Sequence, residues 1–493
     1  MIIGGLVVAL LGVLPVDLKD LSAKLREKDE RARAEAIEGL GRDGSKEAFE
    51  LVLGALKDPS SRVQDAVEKA LPSWSEPALV AQLYGKKGLG DSDAWIQRHT
   101  LGALATASYP IDADALATAL SSKEPRVRFA ACHAVERIAM RAGFAGKTDK
   151  LSKMLDKLAK DPDEEVRAAA LVGQARLTKR LPADAQALVE TAPPAVACAA
   201  LWLQATELGA PALPLLRSGL QRKERSVRAA AIDHLRLLAT RDAALTLVEA
   251  IKSETNPATL WRAADALEAL SGVSFGDKID LWQQWASNLP AAWTAQAESR
   301  EGRKSSNDST SKSGTAVLAG MPIVSTRVAI LIDLSGSVWE KRADGTIPKD
   351  DLEQELARTL DGFTPETRFQ LVPFTEDPAA LSKALTPATP QAVAKTKADF
   401  AGLKTSGKGD YWDAIEQTLA DPEVDTIIVY GDGAPSGGRR WDLARMELDY
   451  LARNRFRRVE LSAVLVGASK GLTERWTSWC VATGGEVKTV SKR

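Results

Sequence analysis

Residues 227–235 read VRAAAIDHL, and this nine-residue pattern decides how the first part of the chain folds. The chain has 493 residues, and successive approximate copies of the pattern start 31, 33, 31, 39, 30, 31 and 33 residues apart. A period near 31 over eight copies predicts a solenoid, because a single helical pair cannot bury its apolar face alone and must stack on its neighbours. The copies are residues 32–40, 63–71, 96–104, 127–135, 166–174, 196–204, 227–235 and 260–268.

Each copy carries its own signals for a helix start and for close packing. Turns such as Asp161-Pro162 precede it, and aspartate at a helix start accepts hydrogen bonds from free N–H groups, while proline fits the first turn. Runs of small residues, as in the alanines of 229–231, predict that neighbouring helices approach closely. We expect the arginines of the pattern, Arg128, Arg167 and Arg228, to pair with acidic residues in the turns of neighbouring repeats.

The pattern resembles HEAT repeats, in the short version also found in phycobilisome-lyase-like proteins. This resemblance implies an α-solenoid, which we place at residues 17–295. Three tryptophans, Trp282, Trp285 and Trp293, follow the last copy. We interpret them as an apolar cap that closes the end of the solenoid, with an exposed aromatic binding site as the alternative.

Residues 1–14 contain no charged side chain. The run is too short for a membrane-spanning helix, which needs about 20 apolar residues. We interpret residues 1–16 as a signal segment, although no Lys or Arg precedes the run and no convincing cleavage site follows it. The alternative is a first buried helix. The signal interpretation implies a periplasmic or secreted protein without an integral membrane span, and a cytoplasmic location stays open.

Residues 296–314 are polar and rich in serine, and we place a flexible linker at residues 296–319, so that the two domains move independently unless they share an interface. After the linker, buried-strand patterns alternate with helical ones. Strands are predicted at residues 327–332, 368–374, 426–430, 459–466 and 486–490, and helices at 352–360, 391–400, 411–419 and 443–454. Such alternation predicts an α/β doubly wound, Rossmann-like parallel sheet over residues 320–493, with ligands at the carboxyl ends of its strands.

The loop after the first strand of this second domain reads Asp333-Leu334-Ser335-Gly336-Ser337, a D-x-S-x-S arrangement. Directly after a buried strand, it resembles a von Willebrand factor A domain with a metal-ion-dependent adhesion site. The resemblance implies that Asp333, Ser335 and Ser337 bind a metal together with Asp432, at the family's second aspartate position. Hard oxygen ligands favour Mg²⁺, Mn²⁺ or Ca²⁺. In the family, a carboxylate from a partner protein completes the metal's shell.

One position departs from the family pattern, because Gly409 stands where the resemblance predicts a threonine ligand. We expect the neighbouring Asp410 to compensate with its carboxylate. The alternative is a vestigial site, in which Asp333 and the serines only hydrogen-bond to the loop backbone.

Two tryptophans, Trp339 and Trp412, flank the predicted site, and we interpret them as a partner-binding rim, with packing under the loops as the alternative. Four arginines, Arg453, Arg455, Arg457 and Arg458, are interpreted as a solvated face at the end of a helix.

Composition narrows the function. Lys and Arg total 65 against 66 Asp and Glu, a net charge of −1, which argues against a protein held on nucleic acid by its overall charge. Three histidines and three cysteines leave little for a zinc site or for histidine-based catalysis. HEAT-like repeats followed by a linker and an A domain resemble bacterial proteins of the same organisation, and this resemblance implies a non-enzymatic, protein-binding scaffold or adhesion-type adaptor. The alternatives are an RNA-binding ribonucleoprotein with the architecture of the Ro family and, less favoured, an enzyme resembling bilin lyases.

Overall fold

The computed structural model describes residues 17–141, 148–295, 316–341 and 345–491, apart from the side chains at positions 113 and 337. The predicted signal segment and residues 296–315 of the predicted linker lie outside the described residues. The chain divides into two compact units, Met1–Ala130 and Ala131–Arg493.

The first unit is helical, and the repeated pattern occupies every second long helix. Asp17, Asp29, Ser45 and Asp93 cap four of the helices by accepting hydrogen bonds from backbone N–H groups of the first turn. The pattern lies in α2, α4, α6 and α8, and α4 packs directly on α2 and α6. The helices are α1 (Leu18–Lys24), α2 (Glu30–Asp43), α3 (Lys46–Gly54), α4 (Ser61–Ala70), α5 (Pro77–Leu83), α6 (Ala94–Thr106), α7 (Leu116–Leu120) and α8 (Pro125–Ala139), which continues into the second unit.

The second unit contains the later repeats, in which α10, α12, α14 and α16 carry the pattern and stack in that order. The alanines at 168–170 and 229–231 are buried at these contacts, as the small-residue signal predicted. The helices are α9 (Asp149–Leu158), α10 (Glu164–Thr178), α11 (Ala185–Thr191), α12 (Pro194–Leu208), α13 (Leu213–Leu220), α14 (Arg225–Leu238), α15 (Arg241–Ser253), α16 (Pro257–Ser271) and α17 (Ile279–Ser287).

The arginine of the pattern closes the turn that leads into its helix. In Arg128, Arg167 and Arg228, Nη1 donates to the carbonyl oxygens five and six residues earlier, at 2.6–3.2 Å. Arg228 also holds Glu254, in the turn of the next repeat, through two hydrogen bonds of 2.7 and 2.9 Å. The predicted pairing with a turn acid is therefore confirmed for Arg228, while the described contacts of the other two are to their own turns.

The tryptophans after the last repeat form a cluster, as predicted for a cap. Trp282 is fully buried and contacts Phe275 and Trp285 edge to face, with ring centroids 4.8 and 5.8 Å apart. Trp293 contacts Trp285 in the same way at 5.6 Å. The rings thus cover the apolar end of the repeat stack.

The α/β domain is a six-stranded sheet in the order β5-β4-β3-β6-β7-β8, parallel except for β5. The order reverses between β3 and β6, the place where doubly wound sheets bind ligands. A hairpin of β1 and β2 packs beside the sheet core. The strands are β1 (Ala316–Leu318), β2 (Met321–Ile323), β3 (Arg327–Asp333), β4 (Arg368–Phe374), β5 (Thr386–Pro387), β6 (Thr426–Gly431), β7 (Glu460–Val466) and β8 (Val487–Val490), and the helices are α18 (Pro348–Asp361), α19 (Pro390–Ala401), α20 (Tyr411–Leu419), α21 (Leu443–Arg457) and α22 (Lys470–Thr483).

The hairpin corrects the linker prediction, which extended to residue 319. Ala316 and Leu318 are buried in the core of the α/β domain and pair with β2, so the domain already includes these residues. Their short apolar run was hidden next to a long polar segment. Within the described parts of the chain, none of the helices combines the length and the apolar character needed to span a bilayer.

Candidate functional site

The predicted site lies at the carboxyl edge of the sheet, where its order reverses. Asp333 is the last residue of β3, and Asp432 follows directly after the neighbouring strand β6. Because parallel strands end at the same edge, the fold brings these two residues together. Gly409 and Asp410 lie in the loop before α20.

A tyrosine hydroxyl lies between the two aspartates. Tyr411 donates to Oδ2 of Asp333 at 2.7 Å, and its oxygen lies 3.3 Å from Oδ1 of Asp432. The same oxygen accepts a hydrogen bond of 2.9 Å from the N–H of Gly433. Tyr411 is fully buried. The sequence analysis missed this residue, although its place next to Asp410, in the loop expected to supply a ligand, was a usable signal.

Hydrogen bonds support both carboxylates. Oδ1 of Asp333 accepts from the N–H of Ser335 at 2.8 Å, and Oδ1 of Asp432 accepts from the N–H of Ala434 at 2.8 Å. Burial raises the pKa of Asp333, while the donors from Tyr411 and Ser335 act in the opposite direction. Burial and the two aspartates raise the pKa of Tyr411 well above its usual range, so its hydroxyl stays protonated and serves as a donor.

Asp410 does not join this pair, so its predicted role as a compensating ligand is corrected. Its Oδ1 accepts from the N–H of Asp413 at 3.0 Å and thereby caps α20. Within the described residues, Oδ2 is buried without a hydrogen-bond partner. Burial and the neighbouring Asp413 raise the pKa of Asp410 to about 8. Asp333, Asp410 and Asp432 do not form a group of three carboxylates whose oxygens all lie within 4.8 Å of one another.

These residues do not fit a divalent cation. Gly409 supplies no oxygen from a side chain, and a Cβ at this position would lie 3.3 Å from both Oδ1 of Asp333 and a ring carbon of Tyr411. The hydroxyl of Tyr411 lies within hydrogen-bond distance of both aspartates, where a cation would have to act. Ser335 contacts Asp333, and the side chain of Ser337 lies outside the described residues.

The predicted aromatic rim is corrected at one of its two positions. Trp412 is 1% exposed because it lies on the face of α20 that packs against the domain core. Trp339 is partly exposed, and its indole N–H donates to the carbonyl oxygen of Leu334 at 3.1 Å. Only Trp339 therefore offers any surface beside the loops.

The predicted solvated arginines instead bind the repeats. The helix α21 packs against α10, α12 and α14. Nε of Arg453 lies 2.9 Å from Glu165 on α10, and the two side chains are only 2% and 6% exposed. Arg455 donates to both carboxyl oxygens of Glu136 on α8 at 2.6 and 2.7 Å. The prediction of a solvated face is therefore wrong, and the two domains share an interface, the condition under which independent movement was not expected.

A third ion pair extends this docking interface. Asp233 on α14 accepts from Arg458 at 2.8 Å and from Arg262 of the repeats at 2.6 and 2.8 Å. Burial opposes ionisation, but the arginines outweigh it and hold the pKa of Asp233 below its usual range, and Arg455 does the same for Glu136. These carboxylates thus stay charged against the arginines.

An aromatic ring and a histidine complete the docking interface. The guanidinium carbons of Arg176 and Arg455 lie 5.0 and 5.1 Å from the ring centroid of Trp202 on α12. Burial, followed by the charge of Arg458, lowers the pKa of His234 to about 3, so this histidine is neutral at physiological pH. The signal for docking was present in the sequence as acidic residues on the pattern helices, but nothing local links them to arginines some 300 residues away.

The first unit holds a buried polar cluster that the sequence analysis also missed. Nδ1 of His99 on α6 lies 2.8 Å from Glu68 and 3.8 Å from Asp65, both on α4. All three side chains are buried. The spacing of 31 between Glu68 and His99 matches the repeat period and was the available signal.

Comparisons with known proteins agree with this architecture. The family described as HEAT repeats matches residues 18–85 and 86–173. None of the curated proteins matches the sequence. Among solved structures, the chain is similar to a von Willebrand factor type A protein from Catenulispora acidiphila, with 19% identity and a TM-score of 0.28 over 34% of this chain and 38% of that one. It thus spans little more than a third of that relative.

Two further solved structures correspond to different parts of the chain. The VWA domain of SpRpn10 is 14% identical, with a TM-score of 0.27 over 34% of this chain and 88% of that one. The complex of CpcE and CpcF of phycocyanin lyase, from a Nostoc species, is 16% identical, with a TM-score of 0.26 over 59% of this chain and all of the other. The chain combines helical repeats, of which residues 18–85 and 86–173 match HEAT repeats, with a doubly wound α/β domain.

Proposed function

We propose that this protein is a non-enzymatic scaffold that binds other proteins through the exposed sides of its pattern helices. In this proposal the α/β domain, called the A domain below, is docked on the repeats of the second unit, and the pattern helices of the first unit receive a partner. The two modules then act as one rigid platform over the second unit, and not as two independent binders on a flexible tether.

One observation carries the proposal: the pattern helices of the second unit already bind a folded domain. Their side chains supply Glu136, Glu165 and Asp233 to three arginines of the A domain, and Trp202 stacks beside one of them. Arginine and tryptophan are the residues that dominate binding energy in protein interfaces. This surface therefore has the chemistry of protein recognition.

The first unit carries a row of residues at the repeat position of Glu165, and three of these four residues are positively charged. Glu165, which receives Arg453, stands one residue before its copy of the pattern. The residues at the same position in the earlier copies are Arg31, Arg62, Trp95 and Arg126. Arg98 lies over the ring of Trp95, with its guanidinium carbon 3.9 Å from the centroid. We infer that this row takes an acidic surface of a partner protein.

The test compares two charge-reversed forms of the full chain. The first carries Arg31→Glu, Arg62→Glu and Arg126→Glu. The control carries Lys46→Glu, Lys86→Glu and Lys123→Glu, three exposed lysines outside the pattern helices of the same unit. Proteins retained from nuclease-treated extracts are quantified by mass spectrometry. We expect a partner that the wild type and the control retain and the arginine variant loses.

Two outcomes contradict the proposal. Equal retention of the same proteins by all three forms would show that the row does not bind them. A partner that is retained from untreated extracts and lost after nuclease treatment would instead support the alternative of an RNA-binding protein. The salt dependence of binding would then give the number of phosphate contacts.

A further inference from the structure

We propose that Tyr411 takes the place of a metal ion in this A domain: its hydroxyl, and not a divalent cation, links Asp333 to Asp432, and the domain folds without a cation. This inference concerns the internal chemistry of the A domain and does not depend on the scaffold function proposed above. It is carried by the position of one side chain and by the glycines that make room for it.

The hydroxyl is held from three sides. It donates to Asp333 at 2.7 Å, lies 3.3 Å from Asp432, and accepts from the N–H of Gly433 at 2.9 Å. A phenol has one proton, which makes the short bond to Asp333; Asp432 lies at a longer distance from the same hydroxyl, and a lone pair accepts from Gly433, which follows β6. The oxygen therefore bridges the ends of β3 and β6, the role that a metal has in a metal-dependent site.

The ring cannot easily leave this position. Tyr411 is fully buried and lies between the rings of Phe374 and Trp476, with centroid distances of 4.9 and 5.8 Å. The indole N–H of Trp476 donates to the carbonyl oxygen of Gly433 at 2.9 Å. The loop that provides the N–H to the hydroxyl is thus itself fixed, and close packing resists a rotation of the ring.

Two glycines make room for the phenol. A Cβ at Gly431 would lie 2.5 Å from the Tyr411 oxygen and 2.6 Å from Cβ of Asp333. A Cβ at Gly409 would lie 3.3 Å from both the ring and Asp333. A threonine at 409 would therefore crowd the tyrosine. The absence of a threonine and the presence of the tyrosine therefore belong together: the phenol takes the place of a cation that hydroxyl groups would bind.

Neutral hydrogen-bond donors stabilise the two carboxylates of the site. Asp333 receives the phenol and the N–H of Ser335, and Asp432 receives the N–H of Ala434. Hydrogen bonds from several donors stabilise a buried carboxylate without a counter-ion. A carboxylate from a partner protein would therefore find no metal ion at this site whose coordination shell it could complete.

The first experiment measures Mn²⁺ binding to the full chain by electron paramagnetic resonance, for the wild type and for Asp333→Asn. We expect both to bind the same amount of Mn²⁺, because any ions bound elsewhere are shared. We also expect no rise in melting temperature with millimolar Mg²⁺, Mn²⁺ or Ca²⁺. A metal present at about 100 times the dissociation constant of such a site would raise the melting temperature by about 5 °C or more. Mn²⁺ bound by the wild type and lost in Asp333→Asn would overturn the proposal.

The second experiment removes the hydroxyl. Tyr411→Phe is compared with Tyr450→Phe, a matched control in the same domain, where a buried hydroxyl donates only to the carbonyl oxygen of Val459 at 3.3 Å among the contacts described. We expect the larger fall in melting temperature for Tyr411→Phe, together with a response to Mn²⁺ in the double variant Gly409→Thr/Tyr411→Phe. An equal or smaller fall than in the control would contradict the bridging role.

Discussion

Replacing Arg453 by methionine should detach the A domain from the repeats without unfolding it. The change removes the guanidinium whose Nε lies 2.9 Å from Glu165 and keeps a flexible apolar side chain of similar length. Glu165 is then left in a setting where its side chain is only 6% exposed. A buried charge without its partner is strongly destabilising, because little water reaches it to replace the lost contact.

The magnitude follows from the burial of the pair. Removing one partner of a buried ion pair costs about 3–5 kcal/mol. Arg457, with Nη1 3.5 Å from Glu165, remains and compensates in part. We therefore expect the low end, about 3 kcal/mol, which weakens docking roughly 100-fold. Replacing both partners, as in Arg453→Met/Glu165→Leu, should recover part of this loss, since the buried Glu165 carboxylate is then removed as well, although Arg457 loses Glu165 and Glu416 loses Arg453.

Hydrogen exchange measured by mass spectrometry reports the docking directly. The peptides that cover α12 and α21 face each other and should lose protection together in Arg453→Met. Peptides from the central strand β6 should keep theirs, since the domain itself stays folded. The control is Arg475→Met, which removes a partner of Glu447 from a side chain that is 42% exposed, and should change docking by less than about 1 kcal/mol.

Two results would refute this reasoning. If Arg453→Met changes the exchange of α12 and α21 no more than Arg475→Met does, the ion pair does not hold the domains together. If β6 loses protection as much as α21 does, the arginine stabilises the fold of the A domain itself and not its docking. In that case the double replacement would also fail to restore docking.

Three further perturbations test other parts of the structure. Lowering the pH from about 6.5 should destabilise the folded chain, because burial and the charge of Arg458 lower the pKa of His234 from 6.5 to about 3, so that the unfolded chain takes up this proton at a higher pH than the folded one. The lowered pKa of Asp233 adds a loss of stability at still lower pH. Denaturant unfolding at several pH values checks this, and a stability that rises in acid would contradict it. Trp202→Ala should cost about 2 kcal/mol of docking, because it removes the ring beside the guanidinium groups of Arg176 and Arg455. Hydrogen exchange of α12 measures this, and an unchanged exchange of α12 would show that the ring does not contribute. Gly431→Ala should destabilise the A domain by about 1–3 kcal/mol in denaturant unfolding, because the added Cβ would lie 2.5 Å from the buried hydroxyl of Tyr411. The control Gly471→Ala should not, because nothing lies within 4 Å of its added atom. Equal effects of the two changes would count against the contact with the phenol.

Much of the fold was predictable because its signals are local. The repeat period of about 31 residues predicted the stacked helices, since each copy carries its own apolar face and several begin at a capping side chain. The buried strands of the A domain were found for the same reason, as continuous apolar runs. Asp333 and Asp432 could also be placed together, because both follow strands of one parallel sheet and such strands end at one edge.

The candidate site was predicted only in part, because its chemistry depends on side-chain directions. Asp410 and Tyr411 are neighbours, yet one caps α20 and the other reaches the two aspartates. Nothing in the residue types states which of the two turns inward. Trp412 was placed at the rim for the same reason, although the face of α20 that carries it packs against the core.

By itself, the sequence determined the two kinds of module, their order and the strand ends at which a site would form. Only the tertiary structure decided that a phenol occupies the site and that Arg453 and Arg455 bind the repeats. The physical reason is the range of the interactions. Periodicity and capping act over a few residues, whereas Arg453 meets Glu165 across 288 positions of the chain, and only the packing of complete domains brings such residues together.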